Sequence, residues 1–295
     1  MLWRSYIALF HFDNTINYYL IKIMEVVMND IIISVIMGVY NFNSIKLINK
    51  SINSILNQSI RKIEFIICDD GSTDDTYDLL KMISRKDDRI ILIRNKVNLG
   101  LAATLNNCIS IAKGKYIARM DIDDVSAQDR LKEQYEFLEN NDQFDMVGCS
   151  AFIIDADSII GKRNPKKEPD RKDFLFNSPF IHPTIMIRTE VLKKINGYRI
   201  ARETTRAEDY DMFMRLYYHN FRGYNLQKYL YYYREDIQSI KKRKYKFRIQ
   251  EAKVRYIGYK KLKLLPLGYL YIIKPLIVGL IPVKCLQKIR KNISY

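Results

Sequence analysis

Asp121 and Asp123 stand two residues apart directly after a short run, residues 116–120, that is apolar apart from Arg119. At the end of a strand, positions i and i+2 point to one side, so this pair can hold one hard divalent cation, Mg²⁺ or Mn²⁺, against a diphosphate. The same residues also suit a solvated acidic turn, because Asp clusters are common in loops. A second acidic pair, in Asp69-Asp70-Gly71-Ser72, follows the apolar run 63–68. Gly71 and Ser72 fit a turn in which Ser72 or Thr73 caps the next helix. The consecutive carboxylates could instead grip a base or ribose through its N–H or hydroxyl groups. Farther on, Glu208-Asp209 opens a helix-period segment. There the helix dipole favours an ionised carboxylate, although an ordinary N-terminal helix acid looks the same. His182, just before Pro183, reads by itself as a buried, hydrogen-bonded histidine.

These residues need a frame that brings them together. From Ile31 onward short apolar runs alternate with helix-period segments, the pattern of an α/β fold with a mostly parallel central sheet covered by helices on both faces. Strands are expected over residues 31–37, 63–68, 90–94 and 116–120, and helices over 74–84, 99–112 and a segment carrying Ile45, Ile48, Ile52 and Ile55. Open sheets of this type bind ligands beyond the carboxyl ends of their strands. Those positions read Val39-Tyr40-Asn41, Asp69-Asp70-Gly71-Ser72, Lys96-Val97-Asn98-Leu99-Gly100 and Asp121-Ile122-Asp123-Asp124, polar or acidic and placed to converge. Beyond Asp124 the regularity weakens to a helix near 131–138, strands near 146–154 and 184–187, and a helix over 209–219. This half is expected to shape the pocket of a second substrate.

Several of these motifs, in this order, resemble the landmarks of the family 2 glycosyltransferases of GT-A fold. They are Ser34-Val35-Ile36 with Tyr40-Asn41, Asp69-Asp70-Gly71-Ser72-Thr73-Asp74, Asn98-Leu99-Gly100, Gly114-Lys115-Tyr116-Ile117, Asp121-Ile122-Asp123-Asp124, His182-Pro183-Thr184 and Glu208-Asp209-Tyr210-Asp211. The resemblance spans residues 31–235 and rests on an ordered set rather than one motif. It implies a metal-dependent inverting glycosyltransferase that uses a nucleotide-sugar donor, with UDP-sugar the expected one, and a glycan or lipid-linked acceptor in cell-surface polysaccharide synthesis. It places Asp70 on the nucleotide base, Asp121 on the ribose or sugar, and Asp123 on the metal (Mn²⁺ or Mg²⁺) bridging the diphosphate. Val39 and Asn41 would complete the nucleotide pocket. Asp209 would be the general base that takes the acceptor hydroxyl proton, in a single displacement that inverts the anomeric carbon. His182 and Glu208 would lie near the acceptor or the diphosphate.

The chain has 295 residues, 48% hydrophobic, enough for one large domain or two small ones. Its net charge of +16 is unevenly placed: residues 241–295 carry 16 Lys and Arg against the single acid Glu251, leaving 33 basic against 32 acidic residues in 1–240. A neutral body with clustered carboxylates argues against a nucleic-acid-binding protein. A sugar-1-phosphate nucleotidyltransferase shares the sheet and the metal acids, yet Val39-Tyr40-Asn41 lacks the glycine-rich loop for a triphosphate. A glycosidase needs two carboxylates but no nucleotide pocket. Three units are expected: an N-terminal extension over 1–28 without assigned chemistry, a catalytic domain over 29–240, and a basic, apolar helical tail over 241–295 that lies on a membrane. Residues 264–283 are apolar apart from Lys274, and their prolines and glycines favour an element lying in the headgroup region over a span. Cys68, Cys108, Cys149 and Cys285 have no metal or disulfide spacing, and a leader is not indicated. A cytoplasmic enzyme, peripheral on the inner face of the cell membrane, is the expectation.

Overall fold

The computed structural model describes residues 31–156, 158–235 and 245–280. The expected N-terminal extension and the end of the expected tail lie outside them. In the first half the elements alternate as β1 (Ile33–Val39), α1 (Ile45–Leu56), β2 (Ile63–Asp69), α2 (Thr76–Ser84), β3 (Ile90–Arg94), α3 (Leu101–Ile111) and β4 (Tyr116–Arg119). The second half adds β5 (Val125–Ser126), α4 (Arg130–Glu139), β6 (Met146–Asp155), β7 (Ser158–Arg163), β8 (Met186–Arg188), α5 (Thr189–Lys194), α6 (Glu208–Tyr218) and β9 (Gly223–Arg234). Two further helices follow, α7 (Tyr245–Lys261) and α8 (Gly268–Leu280).

All nine strands join one sheet in the order β3-β2-β1-β4-β8-β6-β9-β5, with β7 on β6. From β3 to β4 the pairing is parallel. The strand that extends β4 is β8, and it runs antiparallel, Tyr116 facing Arg188. The sheet is thus mixed in its second half, where β6 pairs antiparallel with β8 and β7 but parallel with β9.

Alternation along the central strands divides the core, because successive side chains point to opposite faces. Ile33, Val35, Met37 and Val39 of β1 join Phe65 and Ile67 of β2 under α1, α2 and α4, where Ile48, Ile52, Leu80 and Leu131 close the layer. On the other face Ile36, Ile66 and Cys68 meet Leu105 of α3, Val191 of α5 and Met212 of α6. Helices cover both faces, as the spacing predicts. The same layer takes in Val254 and Tyr259 of α7. Gly258 fits against Met214, where a Cβ would meet the sulfur at 2.1 Å, and the Tyr259 hydroxyl donates to the Phe174 carbonyl at 3.0 Å. The segment read from sequence as a separable tail is therefore, over α7, part of the same core.

Candidate active site

Because β1, β2 and β4 are parallel, their carboxyl ends gather the loops at one edge of the sheet. Val39 is buried in the core, and its carbonyl accepts the Asp70 N–H at 2.7 Å. Asn41 follows with φ 46, a left-handed conformation that its short amide tolerates. Its N–H donates to Ser72 Oγ and its Oδ1 accepts the Thr73 N–H, both at 2.9 Å. Ser72 thus serves Asn41 rather than the helix, and Asp74 meets the helix start instead, its Oδ1 accepting the Thr76 N–H at 3.1 Å. Asp69 is buried and pairs with Arg94 Nε at 3.0 Å. The Asp70 carboxylate accepts from Asn95 Nδ2 at 2.8 Å, Leu99 N–H at 2.9 Å and Gly100 N–H at 2.8 Å. A carboxylate offers about four acceptor positions, so Asp70 spends most of its capacity fixing the 95–100 loop. Gly71, at φ 68, lets the two loops touch: a Cβ there would lie 2.6 Å from the Val97 carbonyl carbon.

The acidic turn sits beside this pocket. The Asp121 side chain is 31% exposed and is ion-paired and hydrogen-bonded to Arg119. Its carbonyl accepts Ser51 Oγ at 2.9 Å. Burial, then the neighbouring charge of Asp121, pushes the Asp123 carboxyl up to about 6. Asp124 is raised well above the usual carboxylate range by burial and by Asp121 and Asp123. Its Oδ1 accepts the Arg234 N–H at 2.7 Å, while its buried Oδ2 has no partner. Arg234 Nε in turn donates to the Asp123 carbonyl at 2.9 Å. Like charges crowded in a nearly dry turn invite a cation, and their donors are hard oxygens, which fits Mg²⁺ or Mn²⁺. Among the described residues no group of three or more His, Cys, Asp or Glu is placed to hold a metal ion by itself. The ion's remaining ligands would be diphosphate oxygens and water.

In the second half of the chain, α6 opens on Glu208 and Asp209. Burial raises the Asp209 carboxyl, opposed by its backbone hydrogen bonds and the Arg119 charge. Burial thus works against the backbone N–H groups at the helix start, which favour the charged form. Glu208 is pushed up to about 7 by burial and the charge of Asp209. His182 Nε2 meets the Tyr198 hydroxyl at 2.7 Å, and burial together with the Arg119 charge holds the imidazole well below its ordinary value, hence neutral. Asp211 staples α6 in place through Arg215 Nε at 2.7 Å and Arg199 Nε at 2.9 Å. Arg215 also donates to the Ile195 and Gly197 carbonyls at 2.6 Å, which anchors the turn that carries Tyr198.

Comparison with known proteins decides the family. The profile of the family described as "Glycosyl transferase family 2" matches residues 34–196. The chain belongs to glycosyltransferase family 2. Bacillus subtilis EpsE, named a glycosyltransferase, is 41% identical over 88% of this chain and 93% of its own length. Escherichia coli WfaP, named a UDP-Glc:α-D-GlcNAc-diphosphoundecaprenol β-1,3-glucosyltransferase, is 31% identical over 78% of this chain and 88% of its own. Among solved structures, Staphylococcus aureus TarS in complex with UDP-GlcNAc superposes with a TM-score of 0.63 at 20% identity, covering 84% of this chain and 71% of that one. The mannosyltransferase PcManGT of Pyrobaculum calidifontis, solved with GDP-Man and Mn²⁺, gives 0.55 at 16% identity over 89% and 80%. The fold is GT-A.

As a family 2 glycosyltransferase the chain carries features that its motifs alone leave unread. Arg119 is 1% exposed, and its charge bears on Asp121, His182, Tyr198 and Asp209 alike. In sequence Arg119, like Lys96, reads as one of many exposed basic residues near the expected diphosphate; its burial corrects that, and the overlooked signal is a cation inside an otherwise apolar strand. Tyr198 and Arg234 gave no such signal, because a tyrosine after a glycine and an arginine at a strand end are ordinary in sequence. The candidates fall into two groups: Val39, Asn41, Asp70, Asp121 and Asp123 at the strand ends, and His182, Glu208 and Asp209 on the α6 side. Two carboxyls raised toward neutrality on that side suit proton transfer.

Proposed function

We propose that this glycosyltransferase moves a sugar from a nucleoside-diphosphate donor, with UDP the expected nucleotide, to a hydroxyl of a lipid-linked glycan, inverting the anomeric carbon, in cell-surface polysaccharide synthesis. The observation that carries this reading is that the buried Arg119 joins the two halves of the site: its guanidinium pairs with Asp121, and its N–H donates to the Ile185 carbonyl just past the turn that carries His182. Asp70 and Asn41, with the Val39 backbone, form the base end of the donor pocket, and Asp121 takes the ribose or sugar hydroxyls. Asp123 would hold a Mn²⁺ or Mg²⁺ ion, which when bound neutralises the diphosphate as it leaves. Asp209 receives the acceptor proton as the hydroxyl oxygen attacks from the face opposite the nucleotide. A raised carboxyl is a stronger base than a free aspartate, provided the pH keeps it ionised. Neutral His182, held by Tyr198, offers a polar contact to the acceptor or diphosphate without adding charge.

The donor class is supported by the UDP named for WfaP and the UDP-GlcNAc of the TarS complex, and the acceptor class by the diphosphoundecaprenol named for WfaP. GDP-Man in PcManGT keeps the nucleotide a matter for test. The acceptor would be met at the inner face of the cell membrane. Among the described residues no helix is long and apolar enough to cross a membrane. The α7–α8 hairpin nevertheless exposes Leu267, Leu270, Ile277 and Leu280, and it also carries exposed Lys246, Lys253, Lys260 and Lys263. A hairpin with both apolar side chains and ammonium groups exposed suits the headgroup layer of an anionic leaflet, where each cation contributes about 1 kcal/mol.

The test is a panel of UDP- and GDP-sugars with Mn²⁺ and a bacterial lipid extract, followed by nucleoside diphosphate release and by NMR of the new anomeric centre. Release that depends on the extract, with inversion at the transferred sugar, is expected. Retained configuration, or no release from any nucleotide sugar, defeats the reading.

A further inference from the structure

We infer that Arg119 is a positioning residue for the donor: it anchors one oxygen of the Asp121 carboxylate and so presents the other to the nucleotide sugar. The inference rests on the donor reading proposed above. A guanidinium that is 1% exposed must be paired, because burying an isolated charge is costly. Arg119 Nη1 reaches the Met120 carbonyl at 2.5 Å and Asp121 Oδ1, while Nε has no partner. Two other arginines give the contrast: Arg215 spends Nε, Nη1 and Nη2 on Asp211, Ile195 and Gly197, and the fully buried Arg130 spends Nη1 on the Arg119 and Pro183 carbonyls. Arg119 instead directs its charge to a carboxylate that is 31% exposed. No described residue hydrogen-bonds the second oxygen of Asp121.

The backbone beneath Arg119 is fixed from two sides. Its N–H donates to the Ile185 carbonyl at 3.0 Å, just past the turn that carries His182, and its carbonyl accepts Arg130 Nη1 at 3.1 Å. Its side chain lies within the packed interior, so its reach toward Asp121 is set before any ligand arrives. Ligand-binding groups held in this way lose little freedom on binding. Without Arg119, Asp121 would turn freely in solvent beside two further carboxylates, and each donor molecule would have to order it.

The experiment titrates the full chain with UDP and with GDP in the presence of Mn²⁺ by calorimetry, comparing the parent with Arg119→Met, Arg119→Lys, Asp121→Asn and the Arg119→Met/Asp121→Asn double variant. Melting curves for each report folding. Arg119→Met is expected to bind about 10-fold more weakly, the size of losing one charge-assisted hydrogen bond. Arg119→Lys should recover part of that loss, because a lysine restores the charge on one nitrogen, but on a stem too short to place it where Nη1 stands. In the Asp121→Asn background the Met substitution should change affinity by less than about 2-fold, since two residues acting through one contact do not add. If Arg119→Met does not fold, Arg119→Lys decides, and binding equal to the parent overturns the inference. Independent, multiplying losses in the double variant overturn it too, as does parent-like binding by a folded Met variant. A parent that binds neither nucleotide overturns the donor reading, and this inference with it.

Discussion

Asp209 and Asp123 are both aspartates whose burial moves them toward neutrality, and the same shift serves them in opposite ways. For Asp209 it strengthens a base; for Asp123 it stores strain that a cation would relieve. Asp209→Asn should keep nucleotide binding and lower turnover about 10²- to 10⁴-fold, the usual worth of a general base, measured as release of nucleoside diphosphate. Because burial raises the Asp209 carboxyl, activity should fall as pH drops, through an acidic limb above the ordinary aspartate value. A rate with no acidic limb above that value removes the base from this site. Asp123 has a folded value of about 6 against 3.8 unfolded, so the folded state binds its proton more tightly and stability is lost as pH rises between those two values. Asp123→Asn should therefore melt higher than the parent at pH near 7.5 without metal, by up to roughly 3 kcal/mol from a two-unit shift. An unchanged or lower melting point contradicts the strain.

At the scale of elements, the first half of the fold was legible because its strands are apolar and its helices keep their period. The strand ends came within two residues, and the loops that follow them hold the donor-side candidates. Less was legible beyond Asp124. That β8 runs antiparallel to β4 depends on pairing across sequence, Tyr116 with Arg188, for which three residues of strand leave no periodic signal. The cap of α2 was misread for a related reason: Ser72 had a partner in Asn41, on a different loop, that no local rule reveals. Gly71→Ala tests the joint between the donor loops. With φ 68 and a Cβ contact of 2.6 Å to Val97, the added methyl strains the backbone and parts the 69–72 loop from the 95–100 loop. A loss of about 1–3 kcal/mol in denaturant melts, together with weaker nucleotide binding, is expected. Parent-like values in both would show that the loops do not need this approach.

For the whole molecule, the sequence divides its charge between a near-neutral body and a basic C-terminal segment. The structural division does not follow it, since Val254 and Tyr259 of α7 lie in the core with Met212 and Phe213 of α6. Deleting residues 241–295 would uncover that core, so substitutions on the exposed face are the cleaner probe of membrane binding. Leu270→Glu with Ile277→Glu should keep nucleotide binding and abolish flotation with vesicles of anionic lipid, whereas high salt alone should weaken it only in part, by screening the lysines within about 8–10 Å. Flotation unchanged by the double substitution would move the contact elsewhere. The central claim concerns the donor site, and thermal melting of the full chain with UDP, with and without Mn²⁺, tests it most directly. The account predicts a rise in melting temperature that needs UDP and Mn²⁺ together, disappears in chelator, and is absent from Asp123→Asn. An equal rise in chelator, or in Asp123→Asn, would contradict it.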